Sequence, residues 1–214
     1  MMRFTLQDEP ADWDARCRKR GRKWIREHPS YDRPKDYWTE FEPDLCRAFR
    51  HMCAYCVMVV MKADMDHFIP VAHLKKTGKH ELAYEWSNFR YAEGVLNQRK
   101  HDQLILDPFE VKDDWFEIIL PSLQLVLTDR VPKGKRKKAE FTIVRLGLRD
   151  DEVVIRYRRQ FFELYCRHKL PLEGLRDFAP QIAQAVERDL GKGKDWRLPG
   201  NPSPGRRRSP PGTN

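Results

Sequence analysis

Hydrophobic residues recur at helical spacing over the first fifty positions of the chain. Pro43 lies within the second of two such stripes, where we expect it to start a new helix, because proline suits a first turn but breaks a helix interior. The pattern predicts a helical N-terminal region over residues 1–52. In chain order the two stripes contain Trp13, Cys17, Trp24, Ile25, Trp38, Phe41, Leu45, Phe49 and Met52.

The periodicity changes over residues 53–110. A β-branched run from Val57 to Met61 is followed by alternation as far as His67, which predicts two short strands before Pro70. Residues 73–80 are polar and glycine-containing, which is typical of a loop. Farther on, Asn97 and His101 are four positions apart in a segment with helical character, so we expect their side chains to share one helix face.

The apolar pattern of residues 111–190 predicts a β-hairpin followed by helices. Residues 115–120 and 123–127 are apolar runs around a short turn, and a basic loop follows them. A helix is expected over residues 152–168, and another apolar stripe from Leu175 to Leu190 is interrupted or restarted at Pro180. Beyond Gly191 the composition is rich in glycine and proline, which predicts a disordered basic tail over residues 191–214.

Composition limits the class of protein. The chain has 214 residues and 40% hydrophobic content, enough for a packed core. With 34% charged residues and no apolar run of spanning length, a membrane protein is not expected. The first ten residues contain no secretory signal, so the expected compartment is the cytoplasm. Five cysteines, an odd number, do not indicate a disulfide framework.

The net charge of +9 is concentrated in two basic segments. One is the C-terminal tail. The other contains Lys135, Arg136 and Lys137, which we interpret as candidate nucleic-acid contacts. A solvated loop and a solvated tail are the alternative interpretation of the same charges.

Three short clusters between residues 66 and 101 combine the groups needed for metal-assisted phosphodiester cleavage. His67 can accept a proton from water near neutral pH. Asp66, Asn97 and His101 provide a carboxylate, an amide oxygen and an imidazole, a set that suits one Mg²⁺ or Mn²⁺ ion. Asn88 lies between them in the chain and is expected to orient His67 through hydrogen bonds.

The order of these clusters resembles the HNH endonuclease family, whose ββα-metal motif contains an Asp-His pair, a central asparagine and a helical Asn-x-x-Lys. The resemblance implies that His67 is the general base and that Asn88 orients it. It also implies that Asp66, Asn97 and His101 hold the metal and that Arg99 or Lys100 faces phosphate. The implied fold is α+β, with a ββα-metal core over residues 53–110, an added β-hairpin, and N- and C-terminal helices wrapped around them.

Many members of that family bind structural zinc through two Cys-x-x-Cys pairs. This chain has one such pair, Cys53 and Cys56, while Glu93 and Leu96 occupy the positions of the second. A four-cysteine site therefore cannot form in the usual way. Substitution by Cys46 and His51 is one alternative, and packing of two small buried cysteines under the hairpin is the favoured one.

The flanks resemble the HNH nucleases of bacterial anti-phage systems of the Septu and retron-associated type. The resemblance rests on Leu106-Asp107-Pro108-Phe109, Thr142-Ile143 with Leu146, and the pair Arg156 and Arg158. The resemblance implies a defence nuclease that acts on nucleic acid together with an ATPase partner. The usual substrate in this family is DNA rather than RNA. The alternative from another class is an inactive HNH-like subunit that binds nucleic acid or serves as an adaptor.

Overall fold

Two antiparallel strand pairs and a series of helices make up residues 1–198, which the computed structural model describes. The predicted α+β class is confirmed. The helices are α1 (Lys19–Glu27), α2 (Glu42–Ala48), α3 (Val71–Lys76), α4 (Gly94–Lys100), α5 (Lys133–Leu146), α6 (Glu152–Cys166), α7 (Leu172–Phe178) and α8 (Pro180–Leu190). The strands are β1 (Asp64–His67), β2 (Phe89–Ala92), β3 (Phe116–Ile119) and β4 (Gln124–Leu127).

The N-terminal region is helical, and it covers the β1–β2 pair. A π-helical turn over Asp14–Arg18 leads into α1, and Pro43 lies in the first turn of α2 as predicted. The indole of Trp13 is fully buried and meets the rings of Trp86 and Phe89 edge-on at 5.0 and 5.4 Å. These aromatic contacts attach the N-terminal helices to β2.

One predicted strand is absent from the segment before β1. Residues 57–61 form no strand, and a single bridge pairs Met52 with Val59. The chain instead turns tightly, with Val57 N–H donating to the Cys53 carbonyl and Cys53 N–H donating to Met58. Short apolar runs do not distinguish a strand from a buried turn, and here Val57, Met58 and Val60 are buried without a partner strand, while Met61 is exposed. The partner of β1 is β2, which the sequence pattern did not indicate.

Two segments expected to be loops are helical. Residues 73–76 of the polar segment belong to α3, which begins directly after Pro70, and His80 starts a 3₁₀ turn, so only residues 77–79 are non-helical. The basic segment that contains Lys135 forms the first turns of α5, because lysine, arginine and alanine are good helix formers and the one glycine, Gly134, lies in the first turn. Gly147, at φ 66°, ends α5 in the left-handed conformation that glycine adopts without strain.

The remaining elements largely follow the prediction. Strands β3 and β4 pair as a hairpin, α6 covers most of the range expected for it, and the chain breaks between α7 and α8 at Pro180. The first residues of the predicted disordered tail pack against the protein. Trp196 packs on the ring of Phe162 at 5.8 Å, so residues 191–198 return to α6, and the rest of the predicted tail lies outside the described residues.

A single cluster of buried hydrophobic side chains extends from the N-terminal helices through β1 and β2 to α8. The two flanking segments meet within it, because Leu106 N–H donates to the Thr142 hydroxyl at 2.8 Å. Asp107 forms an ion pair with Arg90 of β2 at 2.8 Å. Among residues 1–198, no helix combines the length and apolar character needed to cross a bilayer.

Candidate functional site

The pairing of β1 with β2 places the Asp-His pair beside α4. In the antiparallel register Asp66 lies opposite Arg90 and His67 opposite Phe89. Glu93 caps α4 by accepting hydrogen bonds from the N–H groups of the first turn, so the helix starts immediately after β2. The connection is therefore short and fixes Asn97 close to β1.

A groove of about 1010 Å³ runs between these elements and the N-terminal region. It brings together four of the residues that the sequence predicts for the site. They are Asp66, His67, Asn97 and His101, and the same groove is lined by Asp36, Glu40, Glu42 and Asp64.

His67 is held with one ring nitrogen free. Its Nε2 lies 2.9 Å from the carbonyl oxygen of Ala83, which can only accept, so Nε2 carries the proton and Nδ1 keeps its lone pair. The rings of Trp38 and Phe89 contact the imidazole at 4.6 and 4.7 Å. This burial lowers the pKa of His67 to about 4, so the imidazole is neutral at physiological pH. A neutral, oriented imidazole is the form in which histidine can accept a proton.

Asn88 is buried behind the groove and does not line it. Its amide oxygen accepts from Ile69 N–H at 2.8 Å, and its amide nitrogen donates to the Leu82 carbonyl at 3.1 Å. Asn88 therefore ties the chain after β1 to the turn that carries Ala83, the partner of His67. The hydrogen bonds of Asn88 therefore run to this turn and not to the His67 ring itself, and Asn88 acts as a positioning residue.

Asp66 is almost fully buried and has hydrogen-bond partners on both oxygens. Oδ1 lies 2.9 Å from Nζ of Lys100, and Oδ2 accepts from the hydroxyl of Tyr55. Lys100 also donates to the His67 carbonyl at 2.7 Å. Each carboxylate oxygen has a second lone pair, so the carboxylate retains acceptor capacity toward the groove that it lines.

The two basic residues expected to face phosphate are structural. Lys100 is 0% exposed, since the Asp66 carboxylate draws it beneath the strand pair, and it cannot reach a ligand in the groove. Arg99 forms an ion pair with Asp151 at 2.9 Å and donates to the Leu146 carbonyl, so it joins α4 to the turn between α5 and α6. The structure therefore corrects the prediction that Arg99 or Lys100 faces phosphate.

Asp64 is a site residue that the sequence analysis missed. It precedes Asp66 by two positions, so both side chains lie on the same face of β1. Its Oδ2 accepts from the amide nitrogen of Asn97 at 3.0 Å, and it is exposed at the groove. The strand periodicity of two was the signal that could have identified it.

His101 does not share a helix face with Asn97. Helix α4 ends at Lys100, and His101 has φ 53°, outside the helical region. Its side chain is 70% exposed, and Nδ1 lies 2.9 Å from Asp102. His101 lines the groove, but from a turn that directs it away from the i, i+4 geometry that the sequence predicted.

The basic residues of α5 lie away from the groove. Lys135 pairs with Glu110, Arg136 donates to the Thr128 carbonyl at 3.0 Å, and Lys137 is exposed. None of the three lines the groove that holds His67. A nucleic-acid contact by these residues would belong to a separate surface.

Three of the five cysteines belong to the candidate zinc ligands that the sequence offered. Cys53 and Cys56 are buried, and Cys53 Sγ accepts from the N–H groups of Tyr55 and Glu93 at 3.4 Å. Cys46 Sγ contacts His51 Nδ1 at 3.1 Å. Over residues 1–198, no three side chains of histidine, cysteine, aspartate or glutamate come together as a metal site. Asn97 is not of these types, and its side chain lies beside Asp64, to which its amide nitrogen donates.

Comparison of the chain with protein-family models, with curated proteins and with solved structures found no match.

Proposed function

We propose that this protein is a metal-dependent nuclease that hydrolyses phosphodiester bonds in nucleic acid. One observation carries the proposal: His67, whose Nδ1 has no hydrogen-bond partner within residues 1–198, lines one groove together with Asp64, Asp66 and Asn97. A general base beside a set of oxygen ligands is the combination that phosphodiester hydrolysis needs.

The donor set fits a hard divalent cation. Asp64 and Asp66 offer carboxylate oxygens, and Asn97 offers an amide oxygen once its side chain turns by half a rotation. His101 is a further ligand in the proposal, at the edge of the groove. Bound there, Mg²⁺ or Mn²⁺ would supply Lewis-acid stabilisation of negative charge on the phosphate. The cysteine pairs do not contribute oxygen ligands, and no zinc is part of the proposal.

The chain's own contribution centres on His67. Nδ1 takes a proton from water, whose oxygen forms a bond to phosphorus while the bond to the leaving oxygen breaks. The leaving oxygen takes up a proton from solvent. The Ala83 carbonyl keeps the imidazole in the required tautomer, and Asn88 holds the turn that carries Ala83.

A cleavage assay with Mg²⁺ or Mn²⁺, on plasmid DNA and on single-stranded DNA and RNA, tests the proposal. We expect His67→Ala to lower the nicking rate by about a hundredfold or more, because it removes the general base. His73→Ala on α3 is the matched control, since His73 does not line the groove, and it should nick at the wild-type rate. Equal rates for wild type and His67→Ala would refute the assignment, and no nicking by wild type on any nucleic acid would refute the nuclease.

The neutralisation of Asp66 by Lys100 favours a second candidate, a non-catalytic subunit that binds nucleic acid or serves as an adaptor. This candidate predicts metal-independent binding and no cleavage by the wild-type protein. The same assay with a binding measurement separates the two.

The defence setting is part of the proposal and rests on the flanking resemblance. Asp107 pairs with Arg90 of β2 and Thr142 of α5 accepts from Leu106 N–H, so these residues join the segment that follows α4 to β2 and to α5. An ATPase partner would be detected by co-purification and by nicking that depends on ATP.

A further inference from the structure

Two further hollows adjoin the groove, and they are formed by the N-terminal region and α3. The first, of about 440 Å³, shares Arg33, Trp38 and His67 with the groove and adds Lys75. The second, of about 420 Å³, shares Arg33 with the first and ends at Trp24 and His28. The hollows therefore follow one another outward from His67. We call them the N-terminal track, defined by Trp24, His28, Tyr31, Arg33 and Lys75.

The charge changes sign along this path. On the groove side of His67 the lining residues include Asp36, Glu40 and Glu42. On the track side they are Arg33 and Lys75, with Asp32 as the one acidic residue among those that line the two hollows. A cation is favoured at one end and a phosphate at the other, on either side of the proposed base.

Arg33 is available to a ligand. It is exposed, and within residues 1–198 it forms neither a hydrogen bond nor an ion pair. It lines both the groove and the first hollow together with His67. Lys75 is anchored by the Tyr31 carbonyl, with its ammonium group 5.1 Å from the centre of the Tyr31 ring. Both cationic residues line the first hollow together with His67.

An aromatic platform lies at the outer end of the track. The rings of Trp24 and His28 are stacked at 4.4 Å with an angle of 11° between their planes. Tyr31 meets Trp24 edge-on at 5.5 Å and supports it from the side. His28 is exposed, so the ring at the end of this stack is accessible to a further planar group.

We infer that the N-terminal track binds single-stranded nucleic acid, with phosphates at Arg33 and Lys75 and an unpaired base on the Trp24–His28 stack. Basic grooves interleaved with aromatic rings bind single strands in this way, because every unpaired base has a π-face to offer. A base inside a closed duplex is already stacked on both sides and cannot use the platform without leaving the helix. The inference rests on the proposed function, and it names the substrate as a single strand or an unpaired end.

The test measures binding of the wild-type chain to a 12-nucleotide DNA or RNA strand and to the blunt duplex of the same sequence, in EDTA. We expect the single strand to bind about tenfold tighter than the duplex. Arg33→Ala should weaken single-strand binding at least about fivefold and reduce the slope of log K against log salt by about 0.7. His28→Ala should weaken it at least about fivefold without changing that slope.

Two exposed residues of α5 provide the matched controls. Phe141→Ala removes an aromatic ring that is 43% exposed, and Arg145→Ala removes an exposed cation, both outside the track. Each should leave the affinity unchanged. Because His28 and Arg33 are exposed, their variants should keep the wild-type circular dichroism spectrum and melting temperature.

Duplex binding as tight as single-strand binding would overturn the inference. So would His28→Ala and Arg33→Ala variants that bind like the two controls. Since EDTA removes divalent ions, these outcomes are independent of cleavage. Nicking without single-strand preference overturns the track alone, and track-dependent binding without any nicking supports the track and refutes the nuclease.

Discussion

The ammonium group of Lys100 lies 2.9 Å from the carboxylate of Asp66, and the two side chains are 0% and 5% exposed. The pair joins the end of α4 to β1 inside the ββα unit. Removing one partner of an ion pair at this depth strongly destabilises the folded state, because the other charge is then left buried without compensation.

We predict that Lys100→Met lowers the free energy of unfolding by about 3–5 kcal/mol in urea denaturation. The double variant Asp66→Asn with Lys100→Met should recover part of that loss, because no charge is left unpaired. Lys23→Met is the control, since its pair with Glu27 is long and exposed, and it should change stability by less than about 1 kcal/mol. Equal costs for the two single lysine variants would contradict the structural role of Lys100.

Asp64 should set the metal requirement of the proposed nuclease. Replacing its carboxylate by an amide in Asp64→Asn removes one negative charge from the ligand set, and we expect half-maximal nicking to need about tenfold more Mg²⁺. Stability should change little, because the side chain is exposed. Asp150→Asn, an exposed carboxylate outside the groove, should leave the Mg²⁺ dependence unaltered. The same dependence in both variants would exclude Asp64 as a ligand.

The sequence predicted much of the helical framework, because periodic apolar stripes and proline positions are local signals. The helical start at Pro43 and the break at Pro180 are confirmed. Strand β2 was missed, because the segment Phe89–Ala92 is buried on both faces and shows no alternation. Tight turns such as that at Cys53 depend on contacts distant in the chain, here a hydrogen bond from Ala54 N–H to the Tyr91 carbonyl.

The sequence predicted which chemical groups form the candidate site, but not which role each residue has in it. The spacing of Asp66, His67 and Asn97 indicated one site, and the structure brings these residues to one groove. That Lys100 would pair with Asp66 depends on how α4 packs on β1, which spacing along the chain does not specify. Arg33 and Trp38 come from a region with no motif, so the contact of Trp38 with His67 and the place of Arg33 in the same groove follow only from the tertiary fold.

The pH dependence of activity should lack the usual histidine transition. The folded-state pKa of His67 is about 4, below the value of 6.5 that unfolded histidine has. The base therefore stays unprotonated down to about pH 5, and kcat/KM should be independent of His67 ionisation from pH 5 to 7. Below pH 4 it should fall about tenfold per pH unit. A transition centred at pH 6.5 in the nicking rate would contradict the buried imidazole.

The same pKa shift affects stability with a defined sign. The folded state binds a proton to His67 less readily than the unfolded state does. The contribution of neutral His67 to the free energy of unfolding is therefore fully present above pH 6.5. It is lost progressively as the pH falls from 6.5 through 4. His67→Asn should show a smaller loss of unfolding free energy between pH 7 and pH 4 than wild type, measured by urea denaturation at each pH.

Gly21 of α1 is buried against the ring of Tyr84, and a Cβ atom at this position would overlap the ring carbons. Glycine-to-alanine changes inside helices ordinarily stabilise by up to about 1 kcal/mol. Here we expect Gly21→Ala to destabilise by about 1–3 kcal/mol, because the ring must move in a packed core. The displacement should also lower nicking, since Tyr84 follows Ala83, whose carbonyl orients His67.

The control for Gly21 is Gly134, in the first turn of α5. No atom lies within 4 Å of a Cβ built there, so Gly134→Ala should be neutral or stabilising in thermal and urea unfolding. Opposite signs for the two substitutions would support close packing of α1 on the turn behind the site. If Gly21→Ala is as stable and as active as Gly134→Ala, then α1 does not position Tyr84. The inferred effect of α1 packing on the orientation of the His67 imidazole is then wrong.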